Sequence, residues 1–333
     1  MPCSVVFPSL NENWLISWLI HTEMHIMNDA EAGPAASREP NWEWYRSFLQ
    51  VLDTGSLSAA GRAMGLAQPT VGRHVESLEA ALGLTLFTRS VDGYAPTDAA
   101  RELQPHAAAI AASAAALRRA ASGHGDGVRG TVRITASEVV SVEVLPPMLA
   151  ALREAHPALR IELMLSNRVD DLLHREADIA VRMFRPEQAA LLVRRAGSIE
   201  IGLHAHRSYL VRHGTPRTMA ELSRHTLIGF DRETAFVRSL SHRIAPLTRE
   251  DFALRTDSDL AQLAAIRAGF GIGLCQVALG ARDPELVRLL PRAISLTLDT
   301  WVAMHEDLRR SARCMAVFTA LAEGLGRYAR GTA

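Results

Sequence analysis

The sequence predicts an α/β protein preceded by a small all-α domain, a winged helix-turn-helix. Three observations predict this. Segments of helical apolar spacing lie between residues 41 and 82, strand and helix patterns alternate beyond residue 128, and a glycine-rich break separates them at residues 122–127. The chain has 333 residues, more than one hydrophobic core usually serves, so two or three compact units are expected.

The basic residues are all arginine, because the sequence contains no lysine. Schiff-base enzymes, phosphate-loop nucleotidases and Ser-x-x-Lys acylases all need a lysine, so these reaction classes are excluded. The formal net charge is +0, which gives no global argument for a nucleic acid or an acidic membrane surface. No stretch approaches the ~18 apolar residues of a spanning helix. Cys3, Cys275 and Cys314 are far apart, as is typical of a reducing cytoplasm.

Residues 1–40 are predicted to be a disordered leader, or the result of a start codon assigned too early. Met24 and Met27 are the alternative starts. The first arginine is Arg38, whereas a secretory signal would carry a basic residue before its apolar island, so export is not indicated.

Residues 41–98 carry the pattern of three helices and a hairpin. Apolar residues follow helical spacing from Tyr45, Ser56 stands where a second helix needs its N-cap, and a third helix starts with Gln68-Pro69. The start of that third helix presents side chains that can hydrogen-bond base edges or phosphates, namely Gln68, Thr70, Arg73 and His74. Residues 84–97 then indicate a β-hairpin that turns at Asp92-Gly93, a plausible wing.

The residue identities in this stretch add to the spacing. They are Phe48-Leu49, Val51, Gly55-Ser56, Gln68-Pro69, Val71, Arg73, Leu78-Glu79, Leu82-Gly83, Leu86-Phe87, Arg89, Gly93, Thr97 and Ala99. This run resembles, without gaps, the DNA-binding domain of LysR-type transcriptional regulators. The resemblance implies that DNA is contacted by Ser58, Gln68, Pro69, Thr70, Arg73, His74 and Arg89.

Two features of this domain depart from a strong DNA-binding pattern. Ala67 and Gly72 stand where the family usually has serines, and alanine is a poor cap for a helix. Residues 41–98 also contain four arginines and six acidic residues, a net charge of −2. We therefore expect one copy to bind DNA weakly, and specific affinity to depend on two or more copies held at a fixed spacing.

Residues 99–127 are predicted to form a linker helix followed by a joint. Thr97 can cap the helix, and Pro105 is expected to kink it. Apolar residues alternate in steps of four and three, as in a heptad seam, at Leu103, Ala107, Ile110, Ala114, Leu117 and Ala121. Two such helices could pair and hold two winged domains together; a single solvated helix is the alternative.

Residues 128–333 alternate between strand and helix patterns, which predicts parallel strands with crossover helices. The predicted strands are residues 132–136, 161–165, 178–182, 199–203, 226–230, 271–274 and 301–305. The predicted helices cover residues 145–155, 169–176 and 259–268 and a final helix that carries Met315 and Leu325.

After a winged domain, this pattern resembles the LysR effector domain, and so periplasmic solute-binding proteins. The resemblance implies lobe I at residues 128–203 and 277–333, lobe II at residues 204–276, and a ligand cleft between them. The candidate effector-binding residues are Ser137, Ser166, Asn167, Arg185 and Ser258. Arginine and helix N-termini favour an anionic small molecule. The alternative is that these are ordinary caps and a solvated arginine.

Three other motifs favour structural roles over chemistry. Gly269, Gly271 and Gly273 follow a helix and enter a strand, the reverse of a dinucleotide-binding loop. His204 and His206 share one strand face without a third ligand in view, so no metal site and no cofactor are predicted. A redox role for Cys275, near a predicted hinge, stays open beside the simpler interpretation of a buried thiol.

The resemblance implies a cytoplasmic regulator that is not an enzyme and does not bind a membrane. Its expected partners are double-stranded operator or promoter DNA, a small-molecule effector and further copies of itself, up to a homotetramer. Two alternatives stay open. One is a solute-binding or enzymatic α/β domain with a helical appendage that does not bind DNA, and the other is a co-repressor that acts through protein contacts alone.

Overall fold

The computed structural model describes residues 39–90, 93–122, 127–166, 176–186, 188, 190–233, 237–238 and 247–331, with the backbone alone at residues 89 and 90. The chain divides into two compact units between Ala111 and Ala112. The predicted leader, residues 1–40, lies almost wholly outside the described residues. Among the described residues no helix has both the length and the apolar character needed to cross a membrane.

Three helices form the core of the first unit: α1 (Trp42–Thr54), α2 (Leu57–Met64) and α3 (Gln68–Leu82). Asn41 caps α1 and Ser56 caps α2, each through a side chain that accepts a backbone N–H. The turn between α2 and α3 is tight, because Leu66 N donates to Gly61 O over 2.9 Å. The predicted helix-turn-helix is confirmed, including the Ser56 cap.

The wing is a two-stranded antiparallel hairpin of β1 (Phe87–Ser90) and β2 (Gly93–Pro96). It packs on the helices through Phe87, whose ring lies 5.8 Å from that of Phe48. Gly93 also approaches the turn after α1, since a Cβ at this position would lie 2.7 Å from Gly55 O. Asp92, half of the predicted turn, lies outside the described residues.

A long helix, α4 (Asp98–Ser122), continues through Pro105. Thr97 Oγ1 accepts Ala100 N over 3.2 Å, so the predicted cap forms. The heptad positions differ in their surroundings. Ala107 is buried in the core of the first unit and Leu103 packs against it, whereas Ile110 and Leu117 are exposed.

The second unit begins with a parallel arrangement in lobe I. Strands β3 (Gly130–Ala136), β4 (Leu159–Leu165) and β5 (Ile179–Arg182) are parallel, with β3 between the other two. A π-helical turn (Val140–Val144) and α5 (Leu145–Ala155) connect β3 to β4. The predicted helix at residues 169–176 lies outside the described residues, apart from its last position.

The rest of the main sheet is antiparallel, which corrects the prediction of parallel strands throughout. Strand β6 (Leu191–His206) spans both lobes and is far longer than predicted. It pairs antiparallel with β9 (Gly273–Gln276), β10 (Leu286–Leu289) and β11 (Leu296–His305). Residues 194–198 lack the apolar alternation of a strand, so the sequence does not predict one here. This part of β6 is a strand because it pairs with β11.

Lobe II contains α6 (Arg207–His213), α7 (Asp259–Arg267), α8 (Val277–Gly280) and the parallel pair β7 (Leu227–Gly229) and β8 (Phe252–Arg255). Three short 3-10 helices complete the described second unit, at Ala220–Arg224, Arg249–Asp251 and Glu306–Arg310.

The lobe boundary predicted at residue 277 is wrong. Leu289, Ile294 and Leu296 belong to the same buried cluster as Leu222 and Leu227 of lobe II. The chain therefore returns to lobe I within β11, because the strand keeps pairing with β6 through both lobes.

The core of lobe I lies between one face of the sheet and two helices, α5 and the C-terminal helix α9 (Ala312–Ala329). Helix α9 contributes Val317, Leu321 and Leu325, each fully buried. The two long strands contribute to the cores of both lobes, with Ile199 and Val302 in the cluster of lobe I and Leu203 and Leu296 in that of lobe II.

Candidate nucleic-acid interface and ligand cleft

The start of α3 presents a polar surface on the side opposite its buried face. Val71, Val75 and Leu78 are buried, while Gln68, Pro69 and Arg73 are exposed and Thr70 is half-buried. Ser58 Oγ on α2 donates to Gln68 Oε1 over 2.8 Å. Five of the predicted DNA contacts therefore lie at this surface: Gln68, Pro69, Thr70 and Arg73 on α3, and Ser58 on α2. The side chain of Arg89 lies outside what is described.

His74, another predicted DNA contact, has its side chain directed to α1. Its Nδ1 lies 2.8 Å from Oγ of Ser47, a fully buried residue of α1. The imidazole thus links α3 to α1, so the structure separates His74 from Gln68, Thr70 and Arg73. The buried serine 27 positions earlier in the chain gave no local signal of this pairing.

Two positions where this sequence departs from the family show different consequences. Ala67 precedes α3 without any side-chain cap, as its sequence predicts. Gly72 has room for a side chain, because a Cβ there would meet only Leu57 Cδ1, at 3.5 Å. Packing therefore does not require a glycine at position 72.

Glu79 holds α3 against the wing, a role that the sequence pattern did not reveal. Its Oε1 accepts Leu86 N over 2.6 Å and Phe87 N over 3.1 Å. A carboxylate that accepts two backbone N–H groups forms charge-assisted hydrogen bonds. The recognition surface of α3 and the first strand of the wing are therefore fixed relative to each other.

In the second unit, the candidate cleft residues follow the ends of parallel strands. Ser137 follows β3, and Ser166 follows β4 and donates its backbone N–H to Ala136 O over 2.9 Å. Ser258 belongs to lobe II, where it caps α7, and its Oγ donates to Glu138 Oε2 over 2.6 Å. The structure thus brings Ser137, Ser166 and Ser258 to one region between the lobes.

Two candidates do not join this group. Arg185 is exposed and its guanidinium lies 5.5 Å from the ring centre of Trp301. This cation–π contact gives Arg185 a packing role on lobe I. Asn167 lies outside the described residues.

Two acidic side chains that were not predicted stand among these serines. Glu138 directly follows Ser137, and Asp259 directly follows Ser258. Burial, together with the negative charge of Glu138, raises the pKa of Asp259 to about 6. Adjacent acidic residues in both lobes weaken the argument for an anionic effector at this position, because a like charge would be repelled.

Charged groups also join the lobes at the other end of α7. Arg267 donates to Glu143 Oε1 over 2.6 Å and to Glu143 Oε2 over 3.0 Å. The hydrogen bonds and charge of Arg267 hold the pKa of Glu143 below its ordinary value. Arg282 adds a bond to the Glu143 backbone carbonyl over 3.2 Å.

Cys275 and His204 have the properties of structural core residues. Burial raises the pKa of the Cys275 thiol to about 12, so it is protonated at neutral pH and a poor nucleophile. His204 is 1% exposed, and burial lowers its pKa. Gly280 packs so closely on its ring that a Cβ there would lie 2.5 Å from His204 Nε2.

Family models match both units of this chain. The model described as the LysR substrate binding domain matches residues 125–326. The chain belongs to the LysR family of transcriptional regulators. A second model, the bacterial regulatory helix-turn-helix protein of the lysR family, matches residues 42–101. The family resemblance noted from α3 and the wing is thereby confirmed.

Curated relatives carry regulator names. An HTH-type transcriptional regulator of Xanthomonas campestris pv. campestris (strain 8004) is 30% identical over 178 residues, which is 54% of this chain and 52% of that protein. This chain thus spans about half the length of that relative. The probable HTH-type transcriptional regulator LtrA of Klebsiella pneumoniae is 26% identical over 83% of this chain and 92% of its own length.

Solved structures of LysR-type regulators share the fold. CrgA from Neisseria meningitidis aligns with a TM-score of 0.53 and 25% identity, over 86% of this chain and 99% of its own. CbnR complexed with its target DNA aligns with a TM-score of 0.61 and 20% identity, over 88% of this chain and 100% of its own. The CbnR match shows the fold alone.

Proposed function

We propose that this chain is a sequence-specific regulator of transcription that binds double-stranded DNA through α3 and the wing. The observation that carries the proposal is the exposed polar start of α3, with Gln68, Thr70 and Arg73 on one surface. Arginine is the side chain that most often reads guanine in the major groove, and Gln68 and Ser58 suit phosphate contacts. Arg89 is proposed as a further phosphate contact on the family resemblance alone.

The regulator acts as an assembly of two or more copies. The net charge of −2 over residues 41–98 supports little non-specific attraction to DNA, so affinity depends on joining several domains. Ile110 and Leu117 on α4 are exposed apolar residues in the chain taken alone, and pairing of two α4 helices would cover them. A homotetramer of this kind, acting in the cytoplasm and without enzymatic activity, fits the family.

A small-molecule effector bound between the lobes controls this assembly. Ser137, Ser166 and Ser258 offer hydroxyl groups there, and helix α7 points its N-terminus to the same region. An effector shifts the regulator only by its differential affinity for two states of the cleft. An anionic effector would have to bind apart from Glu138 and Asp259, because a like charge would be repelled there.

A gel-shift titration on the DNA upstream of this protein's own gene tests the DNA-binding role. Arg73→Ala is expected to weaken specific binding by about 1–3 kcal/mol, roughly 5- to 150-fold in Kd, because it removes a base-reading side chain. Arg46→Ala is the matched control. It also removes an exposed arginine of the same domain, but one that is paired with Glu43 on α1.

A salt series on the same fragments distinguishes specific from non-specific binding, since phosphate contacts weaken with salt. Equal affinities for wild type, Arg73→Ala and Arg46→Ala would contradict the role of α3. No retardation by the folded chain at low salt would remove DNA as the partner, and an α/β ligand-binding domain with a helical appendage would be the better description.

A further inference from the structure

A buried serine of α1 holds a histidine of α3, the helix that carries the proposed base-reading side chains. Ser47 is 0% exposed, and its Oγ lies 2.8 Å from His74 Nδ1. Because the serine belongs to α1 and the histidine to α3, this hydrogen bond joins the two helices through their side chains. We call Ser47 and His74 together the Ser-His pair.

The burial of Ser47 decides which group of the pair donates the hydrogen bond. A buried hydroxyl that donates to nothing is costly, because water cannot replace the missing acceptor. Among the described residues, His74 Nδ1 is the one hydrogen-bond partner of Ser47 Oγ. A proton on Nδ1 would have to donate to Oγ, which would leave the serine proton without an acceptor. The serine hydroxyl therefore donates to Nδ1.

This direction fixes the tautomer of the imidazole. When one ring nitrogen of a neutral histidine accepts a hydrogen bond, the proton is on the other ring nitrogen. In His74 the proton is thus on Nε2. The two nitrogens of an imidazole point in nearly opposite directions, so the Nε2–H group of His74 points away from Ser47 and α1.

The Nε2 atom of His74 is open to solvent. The residue is half-buried, and among the described residues no group forms a hydrogen bond with this nitrogen. It is also not one of the buried side-chain nitrogen or oxygen atoms that lack a partner, so solvent reaches it. The Ser-His pair therefore presents one fixed, uncharged donor at the surface of α3.

His74 lies on a flank of α3, beside the polar start of the helix. Around the helix axis it is about 40° from Thr70 and about 100° from Arg73. A recognition helix in the major groove has base edges below it and phosphates along the walls of the groove. When Arg73 points to the base edges, a donor on this flank faces a groove wall.

We propose that the Ser-His pair binds the DNA backbone: Ser47 holds His74 in the tautomer whose Nε2–H donates to a phosphate oxygen. Ser47 is the positioning residue, and His74 makes the contact. An uncharged donor suits a domain whose net charge is −2 over residues 41–98, because hydrogen bonds then add affinity that arginines do not supply. The inference rests on the proposed DNA-binding function and assigns one further contact to it.

Nitrogen-15 NMR of the full chain tests the tautomer without DNA. All 13 histidines are labelled, and the signals of His74 are identified by their loss in His74→Asn. At about pH 8, where an ordinary histidine is neutral, Nε2 is expected to show the shift of a protonated nitrogen and Nδ1 that of an unprotonated one. In Ser47→Ala the two shifts should move towards each other, because both tautomers are then populated. A proton on Nδ1 in wild type would overturn the proposal.

Gel shifts on the DNA upstream of this protein's own gene test the contact itself. His74→Asn removes the Nε2 donor and is expected to raise Kd roughly tenfold, because a hydrogen bond to a charged phosphate is lost. His74→Gln places an amide N–H group near the position of Nε2 and is expected to recover most of this affinity. His106→Asn is the control, since it removes an exposed histidine of α4 in the same unit.

A salt series separates an uncharged donor from a charged one. An uncharged donor releases no counterion, so His74→Asn is expected to keep the wild-type slope of log Kd against log salt. Loss of a charged phosphate contact would reduce the slope by about 0.9. Such a reduced slope would overturn the neutral tautomer in the complex.

The remaining outcomes distinguish this proposal from the DNA-binding role of the chain. Equal losses of affinity in His74→Asn and His74→Gln would show that the ring acts only through packing, and would overturn the contact. Wild-type affinity in His74→Asn, together with weakened binding by Arg73→Ala, would overturn the Ser-His pair alone. No binding by folded wild type would overturn the proposed function as well.

Discussion

At the scale of single residues, one buried ion pair attaches the end of the linker helix to the effector domain. Arg119 on α4 donates from Nε to Asp178 Oδ2 over 2.9 Å and from its Nη2 to Oδ1 over 3.1 Å. Asp178 Oδ2 also accepts Arg133 N over 2.9 Å. Arg119 is 6% exposed and Asp178 is 5% exposed. The last turn of α4 is thus bound at the start of β5 and beside the middle of β3.

Removing one partner of this pair is expected to destabilise the effector domain strongly. Arg119→Met leaves the Asp178 carboxylate buried without its cation, which costs about 3–5 kcal/mol in the free energy of unfolding. The adjacent Arg118 is exposed, so Arg118→Met is expected to change it by less than about 0.5 kcal/mol. Urea unfolding followed by circular dichroism measures both. Equal effects of the two variants would show that the pair does not carry this stability.

Residue pairs of this kind could not be predicted from the sequence. Asp178 lies in a predicted strand, but its partner Arg119 is 59 positions earlier, in a helix whose sequence pattern indicates only an apolar seam. Likewise, nothing near Glu138 or Ser258 indicated that they would meet, since 120 positions separate them. Local patterns report what a residue does within its own element, and long-range pairing depends on the whole fold.

At the scale of elements, the close packing of α2 against the turn before α3 defines the recognition surface. Gly61 is buried at this point, and a Cβ there would lie 2.7 Å from Leu66 O. Gly72, on α3, has room for a methyl group, with Leu57 Cδ1 at 3.5 Å. Position 61 therefore has no room for a side chain, whereas position 72 does.

Replacing each glycine by alanine is expected to change stability in opposite directions. Gly61→Ala forces the backbone of the turn to shift and costs about 1–3 kcal/mol. Gly72→Ala is expected to gain roughly 0.5–1 kcal/mol, because alanine loses less backbone freedom in a helix than glycine. Thermal unfolding followed by the helical circular dichroism signal compares both with wild type. A gain for Gly61→Ala would contradict the close approach.

Elements with clear local patterns were predicted well, and those defined by partners were not. The caps at Ser56 and Thr97 and the helix Leu145–Ala155 lie where the sequence placed them. Strand β10 was missed, because Leu286–Leu289 is short and gains its strand conformation from pairing with β6. Residues 191–198 were not predicted as part of a strand, because Arg194-Arg195 interrupts the apolar alternation and the strand forms by pairing with β11.

At the scale of the whole molecule, the fold class and the family followed from the sequence, because a run of identities in one small domain was specific enough. The two lobes were expected from the same resemblance. Their boundary was not predictable, since β6 and β11 continue through both lobes. The cleft serines were foreseen as a group, but the acidic residues beside them were not, although they are their sequence neighbours.

The chain taken alone has surfaces that suit an assembly. Leu117 on α4 is 73% exposed, and the DNA-binding domain has a net charge of −2. An exposed leucine in a heptad seam gains stability when a second helix covers it. Both features favour DNA recognition by paired copies at a fixed spacing.

A nuclease footprint on the DNA upstream of this protein's own gene tests the central claim most directly. Wild type is expected to protect two half-sites on one face of the duplex, about one helical turn or a multiple of it apart. Leu117→Asp should lose the joint protection, because a carboxylate in the seam separates the α4 helices. Arg118→Asp introduces the same group about 100° around the helix and should keep the protection. No protected site at low salt, or one site protected equally by all three proteins, would contradict a paired DNA-binding regulator.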